Sequence, residues 1–317
     1  MKTLFACGIA LSVVFSQSLG AGQAPPPTQG RGNQGPGPTV TVRGHTFTQQ
    51  SLFQRNVGGP DDQTAQFPPH KIIGNIYYVG TKSLSAFLVV TPQGNILINS
   101  TYERNVRTIQ KSVEQLGFKF SDIKILLGSH AHADHQEGDA MVRELTGAQV
   151  MVMSEDVPAL QAMKPGGKEH PIDRVLHDGE EVKLGGTTLV AHLTPGHTRG
   201  CTTWTLKAQE GGKTYDVAII GSFGTNPGTR LINNSLVPDI VNEYNRAFKT
   251  ARSLKVDVPL GSHPGMYNME DKFAKLGKGG ANPFIDPDGY KLEVDIDEAM
   301  FRAVLAEQQS APPPPNR

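Results

Sequence analysis

Three histidines and one aspartate fall within six residues, His130-Ala131-His132-Ala133-Asp134-His135, directly after the apolar run Ile123 to Leu127. That run reads as a short buried strand. In an extended segment alternate residues share a side, so His130 and His132 point one way. A turn after them carries Asp134 and His135 to a second position nearby. Imidazole and carboxylate are donors that divalent zinc accepts, and the intervening alanines leave room for an ion. A surface His-rich tract is the competing reading, but such a tract has no strand before it and no embedded aspartate. Four donors do not complete a one- or two-metal site, so the fold has to bring further ligands to the end of this strand.

Two other histidines share one local form: an apolar strand, a small residue, the histidine, then a turn. His197 lies in Thr194-Pro195-Gly196-His197-Thr198 after a strand over Thr187–His192, and His263 lies in Gly261-Ser262-His263-Pro264-Gly265 after one over Val256–Pro259. Together with the first cluster they supply the missing ligands. His192, near His197 at a strand end, is expected to be a hydrogen-bond donor behind the site. His45, His70, His170 and His177 have no ligand partner nearby in sequence and read as surface or loop residues.

The rest of the chain alternates strands and helices. KIIGNIYYVG, SAFLVVT and GNILINS are β-branched or aromatic runs broken by turn residues. Val106, Ile109, Val113 and Leu116 form one apolar helical stripe, and a second helix over Gly138–Leu145 leads to a strand over Gln149–Met153. Strands around Glu181–Lys183, Thr187–His192, Thr202–Leu206 and Asp216–Ile220 precede a helix whose face carries Ile240, Tyr244, Phe248 and Ala251, with Pro238 in its first turn. A last helix is expected after Asp295. This rhythm predicts a layered α/β sandwich with helices outside. No glycine-rich phosphate loop occurs where nucleotide binding would need one.

Residues 1–21 read as a secretory signal peptide, with cleavage between Gly20 and Ala24. Residues 22–39 hold five Pro and five Gly, so 22–66 is expected to be a Pro/Gly-rich arm, its first part dispensable for chemistry unless it packs over a neighbouring groove. One domain is expected over 67–309 and a disordered tail over 310–317. Lys+Arg and Asp+Glu both number 30, which argues against a nucleic-acid or anionic-membrane binder acting through bulk charge. An exported, periplasmic or secreted monomer with no membrane anchor is the expectation.

The order HxHxDH, GHT, SHPG resembles the metallo-β-lactamase superfamily of binuclear zinc hydrolases. GNIYYVGT, LSAFLVVTPQGNILINS, LGFKFSDIKILLGSHAHADH, LTPGHTRGCTTW and DVAIIGS are similar to its B3 subclass from Ile73 to Ala306. The resemblance implies a four-layer αβ/βα sandwich and two zinc ions. The first would be held by His130, His132 and His197, the second by Asp134, His135 and His263. It further implies hydrolysis of the β-lactam amide of penicillins, cephalosporins and carbapenems by a metal-bound hydroxide, and hence antibiotic resistance. Asp134 would ligate and orient the nucleophile. Ser222 would help hold the substrate carboxylate and site solvent, with Thr225 beside it.

Cys201 stands where the subclass usually has serine and reads as a buried small residue behind the site rather than a ligand. Ala133, Gly224 and Thr229 depart from the family pattern and open the pocket. Gln136 and Glu137 also differ from the usual small residues; Gln136 is either solvated or an altered support for the ligands. An exported thioesterase of the glyoxalase II kind, or a lactonase, is the alternative on this scaffold, although those families place a bridging Asp where this chain has Gly221-Ser222. A non-catalytic zinc-binding protein is the alternative from another class.

Overall fold

The computed structural model describes residues 35–311. The expected leader, the first part of the Pro/Gly-rich segment and residues 312–317 lie outside the described residues. A hairpin, β1 (Thr39–Val42) and β2 (His45–Thr48), opens the chain and runs straight into α1 (Gln49–Val57). Thr48 caps this helix by accepting from the Ser51 N–H, while the Ser51 hydroxyl accepts from the Thr48 N–H.

A seven-stranded sheet follows in chain order: β3 (His70–Ile73), β4 (Ile76–Tyr78), β5 (Phe87–Thr91), β6 (Gly94–Ile98), β7 (Ile123–Leu127), β8 (Gln149–Met153) and β9 (Arg174–Leu176). The first four pair antiparallel and the last four parallel. Parallel neighbours need crossovers. Those here are α2 (Val106–Gln115), then α3 (Ala133–Gln136) with α4 (Asp139–Thr146), then α5 (Val157–Ala162). The second sheet holds β10 (Glu181–Leu184), β11 (Thr187–Leu193), β12 (Thr202–Glu210), β13 (Lys213–Ile220) and β14 (Val258–Gly261), the last of these parallel to β13 after the crossover helix α6 (Ile240–Ser253). The chain ends through α7 (Met269–Lys275) and α8 (Pro287–Ser310).

Strand periodicity explains the layers. Phe87, Val89, Ile96, Ile98, Ile125 and Leu127 share one buried cluster with Leu189, Ala191, Trp204 and Leu206 of the other sheet. Their neighbours Leu88, Leu97, Leu126, Val150 and Val152 turn to the opposite face and pack on Val106, Ile109, Val113 and Val142 of α2 and α4. Beyond the second sheet, Tyr244 and Phe248 of α6 pack on Phe301 of α8, the Tyr244 and Phe301 rings 4.8 Å apart. The result is helix, sheet, sheet, helix.

Two sequence expectations need correction. The packed body does not begin at Phe67, because Leu52 of α1 is in the core and Val40, Val42 and Phe47 of the hairpin pack against it. The last helix starts at Pro287 rather than after Asp295. Its cap is Asp286, whose carboxylate accepts from the Gly289 N–H, and a Cβ at Gly289 would sit 2.2 Å from that carboxylate. A glycine inside the first turn masks the helical pattern that begins there.

An ion pair between half-buried Arg55 and buried Glu293 ties α1 to α8: Arg55 donates through both terminal nitrogens to the carboxylate, at 2.9 and 2.5 Å. Removing one partner of such a pair strands a buried charge and typically costs about 3–5 kcal/mol, whereas exposed pairs contribute about 0–1 kcal/mol. Arg55→Ala is therefore expected to lower unfolding stability in a urea titration by several times the loss from Arg43→Ala, which removes the exposed pair with Asp295. Equal losses would show that the Arg55 pair does not anchor the arm.

Candidate metal centre

All six expected ligands lie just beyond the carboxyl ends of three strands. β7 delivers the chain to His130, β11 to His197 and β14 to His263, and the two sheets stack so that these ends share one edge. Asn99, at the end of β6, supports the first loop by accepting the Ser129 N–H at 2.9 Å. His132 then closes the loop as the residue before α3, whose single turn carries Asp134 and His135. Gly196 has a φ of 127° and lies against the Tyr244 ring, which a Cβ would approach to 2.7 Å, so only glycine lets the chain turn there and present His197.

The ligand atoms form two triads, His130/His132/His197 and Asp134/His135/His263, each with its atoms within 4.8 Å of one another. The two are contiguous, with the His130 and His135 ring centroids 4.1 Å apart. His197 Nδ1 donates to the Gly224 carbonyl at 2.8 Å and His263 Nδ1 to the Ser83 carbonyl at 3.1 Å. A ring that donates through Nδ1 keeps a lone pair on Nε2. His263 Nε2 and His135 Nε2 lie 3.7 and 3.5 Å from Asp134 Oδ2. His130, His135 and His263 are buried, whereas His132, Asp134 and His197 keep some exposure and form the open side.

Burial, reinforced by neighbouring rings, pushes His130 well below the ordinary imidazole value. Burial likewise brings His135 and His197 to about 3, Asp134 opposing it at His135 and the Gly224 hydrogen bond opposing it at His197. Desolvation works to raise the Asp134 carboxyl, but His135, His263 and His132 outweigh it and hold it far below the usual carboxylate range. His130, His135 and His197 are therefore neutral at pH 7 beside an ionised Asp134, the protonation state a divalent ion requires of its ligands. The Nε2 atoms of His130 and His135 are buried with no hydrogen-bond partner among the described residues. Such orphans are costly unless something completes them. The residues therefore fit two metal ions, and nitrogen with carboxylate oxygen is a donor set that suits zinc.

Several supporting residues escaped the sequence reading. Asp156 is 3% exposed, and its carboxylate accepts from the Ala131 N–H at 2.9 Å, the Thr198 hydroxyl at 2.9 Å and the Gly200 N–H at 2.7 Å. Ala131 separates His130 from His132, and Thr198 follows His197, so this one side chain ties together the segments that carry the whole first triad. In sequence it is merely one acid of Ser154-Glu155-Asp156 ahead of a helix, and nothing marks it. Asp139 forms a second support, accepting from Ser100 and Gln136 at 2.5 and 3.1 Å while lying 3.3 Å from His170 Nε2. Burial works to lower His170, but its hydrogen bond and charge contact with Asp139 raise its pKa.

His170 lies in a loop, one of the two places the sequence reading allows, but it is buried there rather than at the surface. His70 is in neither place: it begins β3 and is buried against Tyr78, their rings stacked at 5.5 Å. His45 and His177 are exposed. Gln136 is buried rather than solvated. His192 does not stand behind the triads; β11 alternates, so Leu189, Ala191 and Leu193 face the core while His192 turns to the other side and pairs with Thr205 Oγ1 at 2.8 Å. Cys201 is fully buried, its thiol raised by burial and directed at the Ser222 carbonyl at 3.3 Å. It belongs to neither triad. Ser222 lies two residues beyond the end of β13, and its hydroxyl accepts from the Gly224 N–H at 3.1 Å. Ser222 and Thr225 are both buried, at 4% and 5% exposure.

A family model described as the metallo-β-lactamase superfamily matches residues 79–263. Among solved structures, the native FEZ-1 metallo-β-lactamase from Legionella gormanii is 47% identical with a TM-score of 0.76, the match covering 78% of this chain and 99% of that one. BJP-1, a subclass B3 metallo-β-lactamase of Bradyrhizobium japonicum, is 36% identical with a TM-score of 0.73 over 78% of this chain and 97% of that one. Curated relatives are more distant. The mitochondrial persulfide dioxygenase ETHE1 of Mus musculus is 25% identical over 185 residues, 58% of this chain and 62% of that protein. A hydroxyacylglutathione hydrolase of Hyphomonas neptunium is 34% identical over 87 residues, 27% of this chain and 29% of its own length. The chain thus spans less than two thirds of the curated relatives it matches. Fold, paired triads and these matches agree: the chain belongs to the metallo-β-lactamase superfamily and is B3-like within it.

Proposed function

We propose that the protein is a β-lactamase that opens the amide of penicillins, cephalosporins and carbapenems in the periplasm, using two zinc ions per chain and acting as a monomer. The observation that carries this reading is the end of β13. There the Gly221 carbonyl accepts from the hydroxyl of Ser262, the residue before His263, and Ser222 stands two residues before the Gly224 carbonyl that holds His197; a thioesterase of this superfamily would place a metal-bridging carboxylate at this point. The similarity to two metallo-β-lactamases over nearly their whole length supports the same choice. Among the described residues no helix is long and apolar enough to cross a membrane.

His130, His132 and His197 would hold one zinc, and Asp134, His135 and His263 the other. Zinc supplies Lewis acidity and brings the pKa of bound water down to about 7. Asp134, ionised among its rings, accepts a hydrogen bond from the attacking water and so fixes its direction toward the amide carbon. Its carboxylate can then take up the proton released on attack and pass it to the departing lactam nitrogen. Ser222 already accepts from Gly224, which leaves its own O–H free to donate to a substrate carboxylate or to site solvent. Thr225 is left out of this reading because its hydroxyl is enclosed.

The curated relatives motivate a second reading, a thioester hydrolase. A side-by-side panel of a carbapenem, a cephalosporin, a thioester and an acyl-homoserine lactone, each assayed with zinc, separates the two. β-Lactam turnover abolished by a chelator and insensitive to a serine-directed inhibitor is expected. Thioester or lactone turnover exceeding every β-lactam by about a hundredfold would reassign the substrate, since such a ratio is nearly 3 kcal/mol of transition-state discrimination.

Replacing Asp134 by Ala should be far more damaging than replacing Ser222 by Ala. The latter removes one hydrogen bond to a charged group, roughly 1.5–3 kcal/mol, or about ten- to a hundredfold in kcat/KM. Comparable losses from the two variants would remove Asp134 from its role at the nucleophile. For Asp156→Ala, zinc affinity measured by chelator competition should fall about 10–100-fold, as it does when a group that orients metal ligands is lost. Unchanged affinity would show that the first triad holds its shape without that carboxylate.

A further inference from the structure

Among the described residues no hydrogen bond joins α1 to a ligand side chain, yet each of its ends holds a loop that orients one ligand ring. At its start, Gln49 is 8% exposed and its carboxamide Nε2 donates to the carbonyls of Thr225 and Asn226, at 2.9 and 3.1 Å. The preceding residue, Gly224, offers the carbonyl that accepts from His197 Nδ1, and that same carbonyl also accepts from the Tyr244 hydroxyl at 3.0 Å. At the helix's end, the Val57 carbonyl accepts from the Ser83 hydroxyl at 3.0 Å, and the Ser83 carbonyl is the acceptor for His263 Nδ1. Ser83 is held again through its N–H, which donates to the Asp62 carbonyl at 3.1 Å. The Arg55 backbone meanwhile lies against Gly265, two residues beyond His263, so closely that a Cβ there would come within 2.3 Å of the Arg55 carbonyl.

The helix is itself fixed at both ends. Gln49 and Gln50 donate their N–H groups to the carbonyls of Pro38 and Pro36, each at 3.1 Å, and Arg55 is paired with Glu293. The N-terminal segment is therefore joined to the site through two separate chains of hydrogen bonds. One ends on the last ligand of the first triad and the other on the last ligand of the second.

We infer that α1 is a two-ended brace, in which Gln49 sets the orientation of His197 and the Val57–Ser83 contact sets that of His263, so that each end tunes the affinity of one metal independently. Gln49 and Ser83 are positioning residues, acting through the carbonyls of Gly224 and Ser83. The inference rests on the two-metal reading of the site. A donor that fixes the loop offering a ligand's acceptor carbonyl restricts the ring to the angle at which its Nε2 faces the ion. Loss of that donor lets the loop relax and the ring rotate.

The test uses the full chain stripped of metal and titrated with cobalt(II) alone, followed by its visible absorption. His197→Ala and His263→Ala provide the reference band of the site that each leaves intact. In Gln49→Met, which keeps the side-chain volume but removes the donor, cobalt affinity of the first site is expected to fall about tenfold, the lower end of the range for groups that orient ligands, with the second site unchanged. Ser83→Ala should do the reverse. Should Gln49→Met fail to fold, Gln49→Asn keeps the carboxamide, shortens its reach and serves the same arm. A merely structural role predicts a lower unfolding midpoint and equal weakening of both sites in either variant, and that result would overturn the brace. So would two cobalt ions bound with parental affinity by both variants. A parent chain that binds fewer than two cobalt ions would overturn the two-metal reading and the brace with it.

Discussion

Trp204 of β12 reaches from the five-stranded sheet and donates its indole N–H to the carbonyl of Gly128, 3.0 Å away at the end of β7. Around it the inner faces of the two sheets are apolar, and apolar contact has no direction of its own. This bond, with that from the Thr202 N–H to the Ser129 carbonyl at 2.8 Å, therefore sets how the end of one sheet sits against the other. It acts two residues before His130 on one side and on the strand next to β11, which leads to His197, on the other. The meeting of ligands from separate segments rests on that contact and on the packing around it.

Once the strand ends are in place, the ligand rings have to be held at the right angle with the right proton. Backbone carbonyls and one buried carboxylate do this. Gly224 and Ser83 each accept an Nδ1 proton and leave Nε2 free. Asp156 ties the two loops of the first triad through three hydrogen bonds. Burial keeps His130, His135 and His197 neutral, and the buried Nε2 atoms of His130 and His135 have no hydrogen-bond partner among the described residues. The site is thus destabilised without a metal, and ion binding and local stability are coupled.

The N-terminal hairpin and α1 extend this logic beyond the two sheets. They bury Leu52, pair Arg55 with Glu293 and close hydrogen bonds onto loops that reach both triads. The outer network of Asp139, Ser100, Gln136 and His170 does the same for α3 from the opposite side. The Ser100 and Thr101 N–H groups both donate to the His135 carbonyl at 3.0 Å, so the short helix that carries Asp134 and His135 is held at its backbone as well.

Local chemistry made the ligands and most strands readable in advance. Metal donors come from a few residue types, here His and Asp, and their placement after apolar strands and beside small residues leaves a pattern within a few positions. β7 and β8 occur over the very residues that the apolar runs predict, because strands buried on both faces are written as continuous apolar segments. The start of α8 was hidden by Gly289, and the hairpin with α1 by the proline and glycine around it. The supporting residues were legible only in three dimensions. Asp156, His170 and Gln49 are ordinary polar residues whose supporting partners lie 25 to 177 positions away, and His192 looked like a supporting donor until strand alternation turned it to the other face. A ligand's identity is dictated by the ion and shows in the sequence; a supporting residue need only offer a donor or acceptor where the fold happens to bring it, and that position exists only once the sheets have packed.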